Sequence, residues 1–391
     1  ASTAAEALRA IRVIQTYARA SYHDVRFADQ NSSNMKFSLR TRRLEANMTR
    51  AVDFIVAVGT VGVLGLGAYR TKIGVLTPGD LLVFMTYVRG FYRPLRRLAR
   101  VTARMSKVAA CSERVMEVLS VKEDIRSKVD AIVPRKLEGD IVFSEVSFRY
   151  KESRPAIRDL SFEVKPGQLI GIAGPSGAGK STVLSLLLRL YDPKKGRILV
   201  DGIDIRDYDV EAYRERFGVV LPEPVLFNTT VAENIAYGRP GATLQEIEEA
   251  AINARAHDFI MALPKGYQTE ISEAGTTLSS GQQQRIAMAR ALIKDFDILL
   301  VDEPFARLDA VSIEDIKQAI FQLRRKCTTL FVTHDLHDLV DADRILILRS
   351  GRLISQGTHA ELLGSSSWFR KVYELQKGRK RRQTAEQGPN V

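Results

Sequence analysis

Residues 168–174 read QLIGIAG and pass without a break into Pro175-Ser176-Gly177-Ala178-Gly179-Lys180-Ser181-Thr182. No other stretch limits the fold so tightly. An apolar strand must end in a glycine-rich loop, and a helix must begin at the lysine, for backbone N–H groups to close round phosphate oxygens. Gly174 starts that loop, Lys180 brings a charge to β- and γ-phosphates, and Ser181 offers a hydroxyl to Mg²⁺. The runs after Ile141 agree: IVF, VSFRY, LSFEV, QLIGIAG, RILVDG, FGVVL, DILLVDE, TTLFVTH and RILILRSGRLI. Several are continuously apolar and precede helical segments, which predicts a mostly parallel α/β sheet. The first few alternate, so a smaller antiparallel β subdomain is expected beside it.

Ile298 to Val301 form a second apolar strand, ending in Asp302-Glu303. That pair is either a solvated loop or the place where Asp302 holds Mg²⁺ through water and Glu303 acts as general base on an attacking water. Leu278-Ser279-Ser280-Gly281-Gln282 stands twenty positions before Asp302, at a helix start. Unpaired N–H groups and the positive dipole end suit a nucleotide's terminal phosphate there. His334 closes strand TTLFVT and reads as a structural histidine or as a γ-phosphate contact at a sheet's carboxyl edge. Tyr150 either stacks on adenine or packs the β subdomain.

Taken together and in order, these motifs resemble those of the ABC transporter ATPases, specifically exporters whose membrane and ATPase domains share one chain. The resemblance implies that Tyr150 is the adenine-stacking aromatic and that Gly174 to Ser181 is the Walker A loop, with Thr182 beside it. It implies likewise that Leu278 to Gln282 is the signature, Asp302 and Glu303 the Walker B pair, Asp309 the D-loop aspartate and His334 the switch histidine. The cofactors are then ATP and Mg²⁺. The partner is a second half-transporter, identical or different, whose Walker A-bound ATP this chain's signature closes on. Three departures stand out. Pro222 occupies the place of a glutamine, and it has neither a side-chain amide nor a backbone N–H. The loop around it couples ATPase to membrane helices in the family. Ser280 replaces a signature glycine, and Ala306-Arg307 precedes Leu308-Asp309 where a serine and an alanine are usual.

The length of 391 residues suits about two domains. Residues 1–110 hold 18 Lys+Arg against 6 Asp+Glu, whereas the rest carries 40 of each. The net charge of +12 therefore belongs to the N-terminal region alone. Phe54 to Tyr69 is uncharged and nearly long enough to span a bilayer, and its glycines suit close helix packing. Leu81 to Tyr92 is shorter and contains Arg89. Basic residues cluster before Ala51 and from Arg93 to Lys107, which predicts a membrane hairpin with both ends in the cytoplasm. A buried core hairpin in a soluble ATPase is the competing reading. Ala4 to Arg26 and Leu95 to Leu119 have helix-forming composition and read as cytoplasmic extensions of the spans.

The expected architecture is an all-α membrane region of two long helices plus an α/β P-loop NTPase domain, with an antiparallel β subdomain and a helical signature subdomain. Its expected boundaries are a membrane part over 1–123 (spans about 51–70 and 79–97), a linker over 124–140 and an ATP-binding domain over 141–376. A basic, polar tail over 377–391 is either solvated and disordered or in contact with anionic lipid. Cys111 and Cys327 show no metal-ligand spacing and read as buried structural thiols. No basic face interleaved with aromatics supports nucleic-acid binding. The two spans match the last two of the family's six, so the chain is either a fragment or a subunit that relies on spans from elsewhere. They offer no polar constellation that selects a cargo, so lipids, drugs, peptides and glycans stay open. The function expected is ATP-driven efflux across a cytoplasm-facing membrane. A slowly hydrolysing regulatory half of a heterodimer is the alternative, and a soluble non-transport ATPase a further one.

Overall fold

The computed structural model describes residues 6–386 apart from 9, 121–124, 151–154, 272–277, 306, 307, 309 and 323–325. Asp309 and the Ala306-Arg307 departure lie outside the described residues, as does the end of the tail. The chain divides into two units, Ala1–Lys122 and Glu123–Val391.

Unit one is built on a helical hairpin. After α1 (Ile11–Thr16), α2 (Ala20–Lys72) turns into α3 (Pro78–Leu119), and the two pack against each other. Gly74, at a φ of 81°, supplies the left-handed turn residue. Thr77 then caps α3. Its hydroxyl accepts from Asp80 N at 3.2 Å, the Asp80 carboxylate accepts from Thr77 N at 2.9 Å, and Pro78 fills the first helical position. Gly67 faces Leu81 so closely that a Cβ there would lie 2.3 Å from its Cδ1, so the glycine is what lets the helices approach. Arg50–Lys72 is long and apolar enough to cross a membrane, at a mean hydropathy of 2.0, and Pro78–Val88 is a shorter apolar stretch. Only 6% of the first span's apolar window is buried. A soluble core hairpin would have to bury it, so that reading is not supported.

Two expectations need correction here, and one stretch gains an element. The helix expected over Ala4 to Arg26 is broken, because Ala18 takes a φ of 50° between α1 and α2. The stretch between Arg26 and Ala51, to which the reading assigned no element, is helical throughout and continues into the first span. Cys111 is exposed on α3, not buried; only Cys327 is buried, where desolvation pushes its thiol pKa up against a weaker pull from Thr329.

Unit two holds two sheets. The smaller runs β2 (Ile157–Val164), β1 (Ile141–Phe148), β4 (Lys195–Val200), β5 (Ile203–Asp204), all antiparallel. IVF and VSFRY prove to be one strand: Glu145, at a φ of 51°, forms a bulge that shifts register without ending the pairing. The larger sheet has the order β10 (Arg352–Gly357), β9 (Arg344–Arg349), β3 (Leu169–Ala173), β8 (Thr328–Val332), β7 (Ile298–Asp302), β6 (Phe217–Val220). It is parallel except for the β9–β10 hairpin. Its central strands are apolar on both faces because each face meets a separate core. Ile170, Ile172, Ile298 and Leu300 join the core shared with the small sheet and α4 (Lys180–Leu187). Leu169, Leu299, Val301 and Phe331 join a second core reached by α6 (Val231–Ala236), α7 (Leu244–Asn253), α8 (His257–Met261) and α9 (Ser280–Leu292). Helix α5 (Val210–Glu215) precedes β6, and α10 (Ala310–Gln322) follows β7. Helices α11 (His359–Ser365) and α12 (Ser367–Glu386) close the chain.

Residues 125–140 are tied along this unit. Asp201 accepts the N–H groups of Glu138, Gly139 and Asp140 at 2.8–2.9 Å, Asp297 accepts that of Leu137, and Ile132 exchanges backbone bonds with residues 207 and 209. The tail differs from expectation too: α12 continues through the basic run to Glu386. Lys, Arg, Gln and Glu are good helix formers, and fully buried Phe369 anchors the helix at its start.

Candidate functional site

The glycines of the phosphate loop are dictated by contact. A Cβ on Gly174 (φ 152°) would sit 2.1 Å from the Leu348 carbonyl oxygen, and one on Gly179 (φ 104°) 2.6 Å from that of Ala156. The loop is therefore wedged between the two sheets, with α4 starting at its end. Lys180 is buried and folds back over the loop. Its Nζ donates to the carbonyls of Gly174 at 3.2 Å and Pro175 at 3.4 Å, and pairs with Glu303 Oε1 at 3.5 Å.

The second strand end meets the loop there. Asp302 closes fully buried β7, with the Ser181 hydroxyl near its carboxylate. Burial raises the Asp302 pKa; the Ser181 hydroxyl works against this, the Glu303 charge adds to it, and Lys180 lowers it. Its Oδ1 is buried with no hydrogen-bond partner among the described residues. Glu303 adopts a φ of 42°, a conformation that costs a non-glycine residue about 1–3 kcal/mol. Its N–H still joins the ladder at Val332 O, 2.9 Å away, while the turned backbone brings its carboxylate between the Lys180 ammonium and the His334 imidazole. Oε1 faces Lys180 and Oε2 lies 3.6 Å from His334 Nδ1. His334 stands on the loop after β8 and is 67% exposed. Glu303, Phe305, Lys317, Thr333, His334 and Asp338 line a cavity of about 210 Å³ beside it.

Tyr150, just beyond β1, comes to the first turn of α4. Its hydroxyl donates to Thr182 Oγ1 at 3.3 Å, and its ring stands edge-on to Phe148 at 4.9 Å and to Tyr191 at 5.1 Å. The sequence reading missed Tyr191. Its signal was an aromatic just beyond the helix that starts at Lys180. A groove of about 1010 Å³ opens beside these rings, with Arg149, Arg158, Lys194 and Lys195 on its walls.

The signature is bonded elsewhere. Ser279 caps α9: its hydroxyl accepts from Gln282 N at 3.2 Å, and Gln282 Oε1 accepts from Ser279 N at 2.9 Å. The cap uses the Ser279 oxygen and leaves the O–H free to donate. Leu278 and Gly281 are buried, and Ser280 is exposed at the helix start. Buried Gln284, which no motif picked out, donates to Leu221 O at 3.0 Å, immediately before Pro222. Beyond Pro222, Asn234 clasps the backbone N and O of Phe227, and Arg290 donates to Val225 O and Asn234. Arg290 also lies over the Phe227 and Tyr237 rings, and burial lowers its pKa.

Comparison with known proteins bears on the whole chain. The family profile described as "ABC transporter" matches residues 157–306, and that described as "ABC transporter transmembrane region" matches residues 1–95. An ATP-dependent lipid A-core flippase of Chromohalobacter salexigens is 36% identical over 374 residues, which is 95% of this chain and 64% of that protein. A putative multidrug export ATP-binding/permease protein of Bacillus subtilis is 36% identical over 372 residues, again 95% and 64%. A solved bacterial Atm1-family ABC exporter with ATP bound superimposes at a TM-score of 0.89 with 34% identity, over 96% of this chain and 65% of that one. The chain thus spans just under two thirds of the length of these relatives.

Proposed function

The chain belongs to the ABC transporter family, with a membrane region and an ATP-binding domain on one polypeptide, and on that premise we propose that it is the ATP-binding and ATP-hydrolysing subunit of an exporter. One observation carries the reading. Glu303 stands within 3.6 Å of both Lys180 and His334 at the carboxyl end of β7, beside the Ser181–Asp302 pair. In this reading the backbone N–H groups of Gly174 to Ser181 and the Lys180 ammonium bind the β- and γ-phosphates of ATP. Tyr150, braced by Phe148 and Tyr191, carries the adenine. A water attacks the γ-phosphorus as its proton passes to Glu303, and the bond to the ADP oxygen breaks. His334 donates a hydrogen bond to the γ-phosphate and holds it in line.

Mg²⁺ fits the residues present. It takes oxygen ligands, and the Asp302 carboxylate, with its unpartnered Oδ1, and the Ser181 hydroxyl supply them. When bound it neutralises charge on the β- and γ-phosphate oxygens. The signature, Leu278 to Gln282, acts on ATP held by a second half-transporter, with Ser279 O–H and the α9 N-terminus facing its γ-phosphate. The spans at 50–72 and from 78 onward lie in the bilayer, and the ATP-binding domain lies in the cytoplasm.

A second reading rests on Pro222. It stands where an amide would meet the attacking water, so the site binds ATP and turns it over slowly beside an active partner. One assay on the complete, assembled transporter, with a non-identical partner's site disabled, covers both. Glu303→Gln is expected to keep ATP affinity and lower hydrolysis by about 10²–10⁴-fold. Unchanged hydrolysis removes Glu303 as the base. Pro222→Gln raises turnover severalfold if the second reading holds and leaves it level under the first.

A further inference from the structure

Helix α12 reaches the phosphate edge of the site through one side chain. Gln376 Nε2 donates to the backbone carbonyl of His334 at 2.7 Å, and Gln376 Oε1 accepts from Leu336 N at 2.9 Å. A primary amide both donates and accepts, so one side chain pins the backbone on either side of Asp335. The turn it grips is closed from within. Thr333 Oγ1 accepts from Asp335 N at 3.1 Å and donates to Asp338 Oδ2 at 3.2 Å, while Asp335 Oδ1 accepts from His337 N at 3.0 Å. Residues 333–338 therefore behave as one piece, and Gln376 fastens that piece to α12.

The helix is a firm anchor. Phe369 is fully buried, and the Tyr373 ring lies 4.4 Å from that of His337 and 4.9 Å from that of His359. Phe369, Tyr373 and Gln376 follow at spacings of four and three, so they share one helix face. The His334 imidazole, by contrast, is 67% exposed and is not wedged by packing. Its backbone sets where Nδ1 lies relative to Glu303, and Gln376 holds that backbone.

We propose that Gln376 is a positioning residue for ATP hydrolysis, acting through His334. This rests on the role given to His334 above. The carboxyl-terminal helix thereby becomes part of the hydrolytic site, although it touches no phosphate.

The test is a double-mutant cycle in the complete, assembled transporter, with a non-identical partner's site disabled and hydrolysis scaled to bound nucleotide, so that unfolded chains do not count. Gln376→Leu removes both bonds; Gln376→Glu keeps the acceptor for Leu336 N and loses the donor to His334 O. Each is expected to lower single-turnover hydrolysis about 5–10-fold with less than a twofold change in ATP affinity, and to have no further effect in a His334→Ala background. Hydrogen exchange at the Leu336 amide should rise in Gln376→Leu and stay low in Gln376→Glu. Full hydrolysis in both variants, or the same loss repeated in His334→Ala, overturns the proposal while leaving the site reading intact. If His334→Ala alone hydrolyses at the unsubstituted rate, the role of His334 falls and the proposal falls with it.

Discussion

Asp302 carries its charge at a cost. A carboxylate at the end of a buried strand, with one oxygen lacking a hydrogen-bond partner, is costly while ionised. Burial raises its pKa, so the folded chain binds the proton more tightly than the unfolded chain does. The stability tied to that proton is present at low pH and is lost as pH rises through the folded value. At neutral pH the ionised group is a net cost. Asp302→Asn is therefore expected to stabilise the nucleotide-free protein by about 1 kcal/mol, a Tm rise of about 2–4 °C, while weakening Mg²⁺-dependent ATP binding. The stabilisation should shrink as pH falls through the raised pKa. Thermal melts in chelator across pH check this; a lower Tm for the variant at neutral pH would count against it. At this scale the sequence exposed Lys180, Ser181, Asp302 and Glu303, because phosphate chemistry fixes their type and spacing. It hid Gln376, Gln284 and Tyr191. Gln376 and Gln284 bond to backbone atoms about forty and sixty residues away, and backbone atoms leave no mark in composition.

Strands and helices were legible wherever local signals agreed with tertiary pairing. The buried runs of β3, β7 and β8 read correctly because a strand covered on both faces must be apolar throughout. The division of β1 into two runs went wrong at Glu145, where cross-strand bonds hold a bulge that polar residues had suggested was a break. The tail was misread for the opposite reason: high charge suggested disorder, but α12 starts from a buried anchor and the charged residues simply propagate it. Element α9 carries a prediction of its own. The Ser279 cap is made twice over with Gln282, so Ser279→Ala should cost about 1 kcal/mol of stability in the α6–α9 region. If its O–H also meets a partner's phosphate, the same change should slow hydrolysis at the partner's site more than Ser279→Thr does. Equal rates for the two variants would leave Ser279 as a cap alone.

At the scale of the molecule, an exposed apolar hairpin and an ATP-binding unit share one chain, which spans just under two thirds of the length of its relatives. The bonds that cap the signature helix run between Ser279 and Gln282. The sequence pointed to a partner for the signature only through the family's motifs, because one chain cannot show what its own surface closes on. In the proposed function, ATP at Lys180 is sealed by another subunit's signature. The most direct measurement is nucleotide retained by the assembled transporter carrying Glu303→Gln, after incubation with Mg²⁺ and ATP and removal of free nucleotide. Slowly released, unhydrolysed ATP is expected, lost when the signature serine and glycine of the subunit that faces the site are replaced by Ala and Asp. ATP retained equally well with that signature destroyed would contradict it.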